Sequence, residues 1–270
     1  MPMAAAEARG VKIEEGVKDA EKKPEHIPHL VGNIIYGLLA FVFKIAFRYS
    51  CEGIENLRKF QGGKSALIVC NHTSYLDPVF LYLTGRSPQW IRFVARDNLF
   101  TNFKGLAGQV LSRVGAFPIK RDSADRTAIK RATHMLKSGD VVGIFPEGTR
   151  RGRGTAEMAL HGGAAFIARM AKVPIIPSTV RNADKVKTKD HMFIRFPHIT
   201  IEYGKPVYLE DFDFLPKEDR LDGFAWYTMR ESYAMFYRID REEVDMQALF
   251  PGSRDFTEAF AGKDLSRTEN

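Results

Sequence analysis

The chain has 270 residues, 44% of them hydrophobic, and carries 40 Lys and Arg against 33 Asp and Glu for a net charge of +7. That apolar share excludes wholesale disorder, and two cysteines are too few for a disulfide-stapled module or a zinc ribbon. A mean hydropathy of −0.24 with an isoelectric point of about 9.3 excludes a polytopic membrane protein and leaves three anionic partners: nucleic acid, a membrane surface or a phosphorylated substrate.

Residues 1–27 are polar, with charges of both signs, and read as a disordered tail. Acidic residues and the lack of a small-residue cleavage site argue against a secretory signal. Composition then changes abruptly, and residues 30–49 read LVGNIIYGLLAFVFKIAFRY. A bilayer span needs about 20 consecutive apolar residues, and Asn33, Lys44 and Arg48 interrupt this run. At helical spacing Asn33, Gly37, Ala40, Lys44 and Arg48 share one stripe. A helix apolar around the rest of its circumference is buried in a core or in lipid. Phe41, Phe43 and Phe47 point around the helix, which favours a membrane-associating, monotopic helix over residues 28–50, with Lys44 and Arg48 reaching anionic headgroups. The competing reading is a core helix of the main domain.

From residue 51 onward, strand and helix patterns alternate. Residues 66–70, after Gly62-Gly63, form a short continuous apolar run, as in a strand covered on both faces. Residues 79–83 read as helix, 91–95 as strand, 103–113 as helix and 115–119 as strand. A helix over 127–137 ends at Ser138-Gly139, and a strand follows over 141–145. Residues 162–171 read as helix, 173–180 and 193–203 as strands, and 219–240 as a long aromatic-rich helix. The pattern predicts a single α/β domain over residues 51–250, with a largely parallel central sheet flanked by helices and preceded by the apolar helix. Residues 251–270 read as a loose tail.

Chemistry concentrates where predicted strands end. Asn71-His72-Thr73-Ser74-Tyr75-Leu76-Asp77 follows the 66–70 strand, and sites in parallel sheets gather at carboxyl ends of strands. If the intervening residues turn, the Asp77 carboxylate can accept the His72 Nδ1 proton and leave Nε2 as a general base for an alcohol. Asp77-Pro78 is equally a helix-start pair, and His-x-x-x-x-Asp alone is common by chance. A metal is not expected, because two candidate ligands lack companions. Phe145-Pro146-Glu147-Gly148-Thr149-Arg150 is a tight turn presenting backbone N–H groups, with an Arg fork suited to phosphate. Residues 115–121 are a strand ending in Lys120 and Arg121, and residues 173–177 a proline-bracketed strand.

In this order the four segments resemble the 1-acylglycerol-3-phosphate acyltransferase family, within the glycerolipid acyltransferase superfamily. Residues 71–77 fit its NHxSxxD block, 115–121 its second block and 145–150 its FPEGTR. Residues 173–177 fit the fourth block before departing at Ser178-Thr179. The resemblance spans about residues 57–206 and implies acyl transfer from acyl-CoA or acyl carrier protein to the hydroxyl of lysophosphatidic acid, with no other cofactor. It implies His72 as base and Asp77 as its orienting partner. Arg150 would bind the acceptor phosphate in a turn made by Glu147, Gly148 and Thr149, with Arg121 and Arg96 adding charge. Arg96 stands where the family usually has Lys. Residues 151–154 (Arg-Gly-Arg-Gly) and His161-Gly162-Gly163 depart from the family's Ser and Lys, so glycerol-3-phosphate, another lysophospholipid or an aminolipid stays open as acceptor.

Cys70 lies near His72, but it ends an apolar strand and reads as packing. The rival from another class is a non-catalytic protein that holds anionic lipid and has no need of His72 and Asp77. A hydrolase lacks its Gly-x-Ser-x-Gly elbow, and nucleic acid is not expected, since the cations sit beside catalytic-looking turns rather than in a stripe with aromatics. The expected location is the cytoplasmic face of a membrane, peripheral or monotopic. No motif sets the oligomeric state.

Overall fold

The computed structural model describes residues 29–85, 91–96, 116–119, 126–148, 150–151, 160, 162–187 and 193–266. The predicted tail over 1–27, the 103–113 helix, Arg121 and Thr149 lie outside them, as does the side chain of Arg96.

In chain order come α1 His29–Phe47, β1 Ser50–Glu52, α2 Ile54–Arg58, β2 Leu67–Cys70, α3 Asp77–Gly85, β3 Ile91–Arg96, β4 Phe117–Ile119, α4 Arg126–Lys137, β5 Val141–Ile144, α5 Gly163–Ala171, β6 Ile175–Arg181, β7 Thr200–Tyr203, α6 Arg220–Tyr237 and α7 Met246–Leu249. The strands form one seven-stranded sheet in the order β1-β7-β6-β2-β5-β3-β4. Every neighbouring pair is parallel except β6–β7, so the α/β domain has the mostly parallel sheet that the alternation predicts.

β2 lies at the centre because all four of its residues are apolar and buried. Side chains alternate across a strand. Leu67 and Val69 therefore face one layer, with Ala132, Leu136, Ala165, Ala168, Phe224 and Tyr233 from α4, α5 and α6. Ile68 and Cys70 face the other, with Phe47, Leu57, Phe80 and Leu81 from α1, α2 and α3. Helices thus cover both faces. α3 follows β2 onto one face and α5 follows β5 onto the other, so the loops after these adjacent strands part at their carboxyl ends. That divergence opens the crevice in which parallel sheets place ligands.

α1 divides between the two readings of its sequence. Phe43 and Phe47 pack edge-on against Phe80, with centroids 5.7 and 5.3 Å away, and the Tyr36 hydroxyl donates to the Leu83 carbonyl at 2.6 Å. The opposite face carries Ile34, Leu38, Phe41 and Ile45, each more than 60% exposed. Among the described residues no helix is long and apolar enough to cross a membrane.

Two expectations are corrected. The 193–203 segment forms a strand only at Thr200–Tyr203. β6 ends at Arg181, opposite Thr200, and the chain then turns through Asn182 in the left-handed region at φ 68°, leaving residues 193–198 no strand to pair with among the described residues. The 251–270 tail is not loose through its described part, because Phe256 and Phe260 are buried. The Phe260 ring meets Phe212, Trp226 and Tyr227 at 5.3–5.6 Å. Two aromatics among polar residues give no periodic signal, so packing rather than pattern orders this segment.

Candidate active site

The register of the central strands brings the first and third blocks together, whereas residues 173–177 lead into β6 from its opposite end and β4 lies at the far edge of the sheet. Val69 pairs with Ile144 and Cys70 with Ser178, so the residues just after β2, the turn after β5 and the last half of β6 share one edge of the sheet.

The His72 Nδ1 lies 3.0 Å from the Asp77 Oδ2. The same oxygen accepts the backbone N–H groups of Thr73 and Ser74, both at 2.8 Å. Asp77 opens α3 but turns its carboxylate back onto residues 72–74, and among the described residues its Oδ1 has no hydrogen-bond partner. Asp77 is fully buried. Burial pushes its pKa above the usual carboxylate value, against the pull of the His72 bond. With the carboxylate as acceptor, Nδ1 carries the proton of the neutral ring and Nε2 is the basic nitrogen. The ring stacks on Phe145, with centroids 4.3 Å apart and planes at 30°, and Phe145 stacks in turn on Phe93 at 6.2 Å. The spacing-derived pair is therefore assembled and held on one ring face.

Glu147 does not face the crevice as a ligand. It is buried, and its Oε1 accepts the His72 backbone N–H at 3.1 Å and the Tyr233 hydroxyl at 2.7 Å. The Arg151 N–H donates to the His72 carbonyl at 2.8 Å, so the turn after β5 grips both backbone groups of His72. The Arg151 side chain donates its Nε–H to Tyr233 at 2.7 Å and another N–H to the Leu249 carbonyl at 3.1 Å, and lies 3.6 Å from the Glu147 Oε2. Burial raises the Glu147 pKa, opposed by Tyr233, His72 and Arg151. Gly148 sits at φ 61°, a left-handed conformation that glycine adopts without strain, and its N–H closes the turn onto Phe145 O at 3.1 Å. Arg150 is half-buried, with its guanidinium 3.1 Å from the centre of the Tyr75 ring.

Asn71 is buried, and its Oδ1 accepts the Thr179 hydroxyl at 2.7 Å. The departure at Ser178-Thr179 thus anchors the first block. Cys70 is buried, and burial pushes its thiol well above the ordinary range, which disfavours a thiolate nucleophile there. Sequence reading missed Tyr233, Thr179 and the structural part of Arg151. Tyr233 is 86 residues from Glu147 and lies outside the four blocks, so only the packing of α6 brings it in. The one local signal was the replacement of Ser by Arg at 151.

A family model described as acyltransferase matches residues 48–181. The chain is 30% identical over 168 residues to the 1-acyl-sn-glycerol-3-phosphate acyltransferase of Bacillus subtilis, across 62% of this chain and 79% of that one. It is 33% identical over 146 residues to the enzyme of that name from Streptococcus pneumoniae, across 54% of this chain and 51% of the relative. The chain therefore spans about half the length of the streptococcal relative. Among solved structures it resembles PlsC from Thermotoga maritima, a 1-acyl-sn-glycerophosphate acyltransferase, with a TM-score of 0.55 at 16% identity over 87% of this chain and 99% of the other. That structure speaks for the fold alone, whereas the identity to the Bacillus protein extends over most of that relative's length. The chain belongs to the PlsC-like acyltransferase family and is an acyltransferase.

Proposed function

We propose that the protein moves a fatty acyl group from acyl-CoA or acyl carrier protein to the free hydroxyl of 1-acylglycerol-3-phosphate, giving phosphatidic acid, at the cytoplasmic face of a membrane. The observation that carries the reading is the 3.0 Å contact between His72 and a buried Asp77 that turns back from the start of α3.

In this reading Nε2 of His72 takes the acceptor's hydroxyl proton as the oxygen attacks the thioester carbonyl. The tetrahedral intermediate expels the thiolate, and the imidazolium returns the proton to sulfur. A thiol of pKa about 8.5 is a good leaving group, so no covalent enzyme intermediate is required. Asp77 steadies the imidazolium and fixes the tautomer. Arg150, Arg96 and Arg121 supply positive charge for the acceptor phosphate. Glu147 and Gly148 lie in the turn that leads to Arg150, and Thr149 is assigned to the acceptor side with it. The acyl donor is a co-substrate, and the reaction as written calls for no metal. The exposed face of α1, Ile34, Leu38, Phe41 and Ile45, rests in the near leaflet of the bilayer. α6 is not the anchor, because Phe224, Tyr227 and Tyr233 are buried in the core.

A panel assay tests this. Detergent-solubilised protein is incubated with labelled acyl-CoA or acyl carrier protein against lysophosphatidic acid, glycerol-3-phosphate, other lysophospholipids and an aminolipid. Labelled phosphatidic acid, absent with His72→Ala, is expected. Acylation of another acceptor in preference moves the substrate within the superfamily. No product with any acceptor refutes catalysis and favours lipid binding alone.

A further inference from the structure

We propose that the loop at residues 193–196 is a second point of attachment to an anionic lipid bilayer, beside α1. The inference rests on the membrane reading of α1 given above and adds a second element to it. Three of the four loop residues are large and apolar, and Phe193, Ile194 and Phe196 are 75%, 60% and 53% exposed. Isolated exposed apolar residues are ordinary, but a contiguous group marks an interaction surface.

The loop is fastened to the end of α1. The Phe196 ring lies 5.3 Å from the Phe47 ring, and the Arg48 guanidinium donates to the Phe196 carbonyl at 3.4 Å. The Ile199 N–H donates to the Phe47 carbonyl at 3.3 Å, and the Arg195 N–H to the Val186 carbonyl at 2.9 Å. Arg48 itself holds a left-handed φ of 47°, a conformation that non-glycine residues adopt at a cost. It ends α1 where the loop meets it. The loop tips therefore adjoin the C-terminal end of α1.

Charge selects the occupant. Residues 44–48, 183–187 and 193–198 carry Lys44, Arg48, Lys185, Lys187 and Arg195, against the single carboxylate of Asp184. Aromatic residues interleaved with cations suit the boundary between acyl chains and anionic headgroups, where rings enter the apolar layer and long cationic side chains reach phosphate. An apolar protein partner has no use for those cations.

The test is co-sedimentation of the full chain with phosphatidylcholine vesicles, with and without phosphatidylglycerol. Phe193→Ser/Ile194→Ser is the principal variant, because it leaves the Phe196–Phe47 contact intact. Its partition onto anionic vesicles is expected to fall about tenfold or more, with an unchanged melting temperature. A Phe193→Trp probe is expected to shift its emission to the blue on anionic vesicles and to be quenched by brominated lipid. Unchanged partition of the double variant, or a probe indole that stays in water, overturns the proposal while leaving α1 as the anchor. If wild type fails to bind either vesicle, the α1 reading falls and the loop's role with it. Concentration-dependent self-association that the double variant abolishes, with no change in vesicle binding, assigns the patch to a second copy and also overturns the proposal.

Discussion

Tyr233→Phe removes one oxygen from the support of His72 and leaves the ring. The lost hydroxyl donates to Glu147 Oε1 and accepts from Arg151 Nε, both at 2.7 Å, while ring packing against Tyr237 and Phe250 is retained. A hydrogen bond to a charged group contributes about 1.5–3 kcal/mol. In a chain of this size each kcal/mol moves the melting temperature by about 2–4 °C, so a fall of about 3–12 °C is expected. Glu147 keeps the His72 N–H but loses the partner that aims its carboxylate. If about 1.4 kcal/mol of the loss reaches the transition state, kcat falls about tenfold. Thiol release from acyl-CoA in the presence of lysophosphatidic acid gives kcat and KM, and a thermal melt of the same sample gives the stability change. KM for the acceptor is expected to hold, since Tyr233 touches the His72 support rather than the phosphate site. A lowered melting temperature with unchanged kcat refutes the coupling between α6 and His72. If neither changes, the Tyr233–Glu147 bond contributes nothing in solution.

His72→Ala is expected to abolish acyl transfer and Cys70→Ala to retain it, measured by product formation; the reverse pattern restores a cysteine nucleophile. Burial raises the Asp77 and Glu147 carboxyls above 3.8 and 4.5, so the folded chain holds protons that the unfolded chain releases. Their contribution to stability is complete below those ordinary values and is lost as pH rises through the raised ones. Activity runs the other way, because the His72 partnership needs ionised Asp77. Rates and melts across about pH 4 to 8 should place the acid limb of kcat above the usual carboxylate range, and an acid limb at or below that range contradicts the assignment. In Gly143→Ala the new Cβ runs into the Phe93 ring behind Phe145 and His72, so overpacking of about 1–3 kcal/mol should appear as a lower melting temperature with reduced kcat. Phe260→Ala is expected to cost about 3–5 kcal/mol in a denaturant melt, whereas a cost near zero would restore the loose tail.

The centre of the sheet was legible because β2 and β5 are short, wholly apolar runs between turn residues, the pattern of strands covered on both faces. The His72–Asp77 pair was legible as a spacing, and the turn from Thr73 to Leu76 makes it a contact. What escaped has physical causes. β1 is Ser-Cys-Glu, too short and too polar for a periodic signal. Phe193, Ile194 and Phe196 have strand composition, but β6 ends before it can pair with them. Glu147 read as a substrate-side residue because it sits in the FPEGTR turn, and only the packing of α6 turns its carboxylate inward to Tyr233. Arg151 read only as a departure from the family's Ser, with no role assigned to its loop, and its bonds to Tyr233 and Leu249 are long-range contacts that a linear pattern does not encode.

The long sequence reach of these contacts sets an order of events during synthesis. Chains emerge N-terminus first, at about 5–20 residues per second. α1 is exposed before Phe80 exists to cover its inner face, and long before Phe196 reaches Phe47, a partner far earlier in the chain. The exposed apolar face is therefore offered to its surroundings while the rest of the domain is still unmade. His72 and Asp77 follow as neighbours, yet the carboxylate that grips the His72 backbone has no Tyr233 until α6 emerges, and Arg151 has no Leu249 carbonyl until α7 follows. A nascent chain halted before α6 carries the reactive pair without the support that aims it.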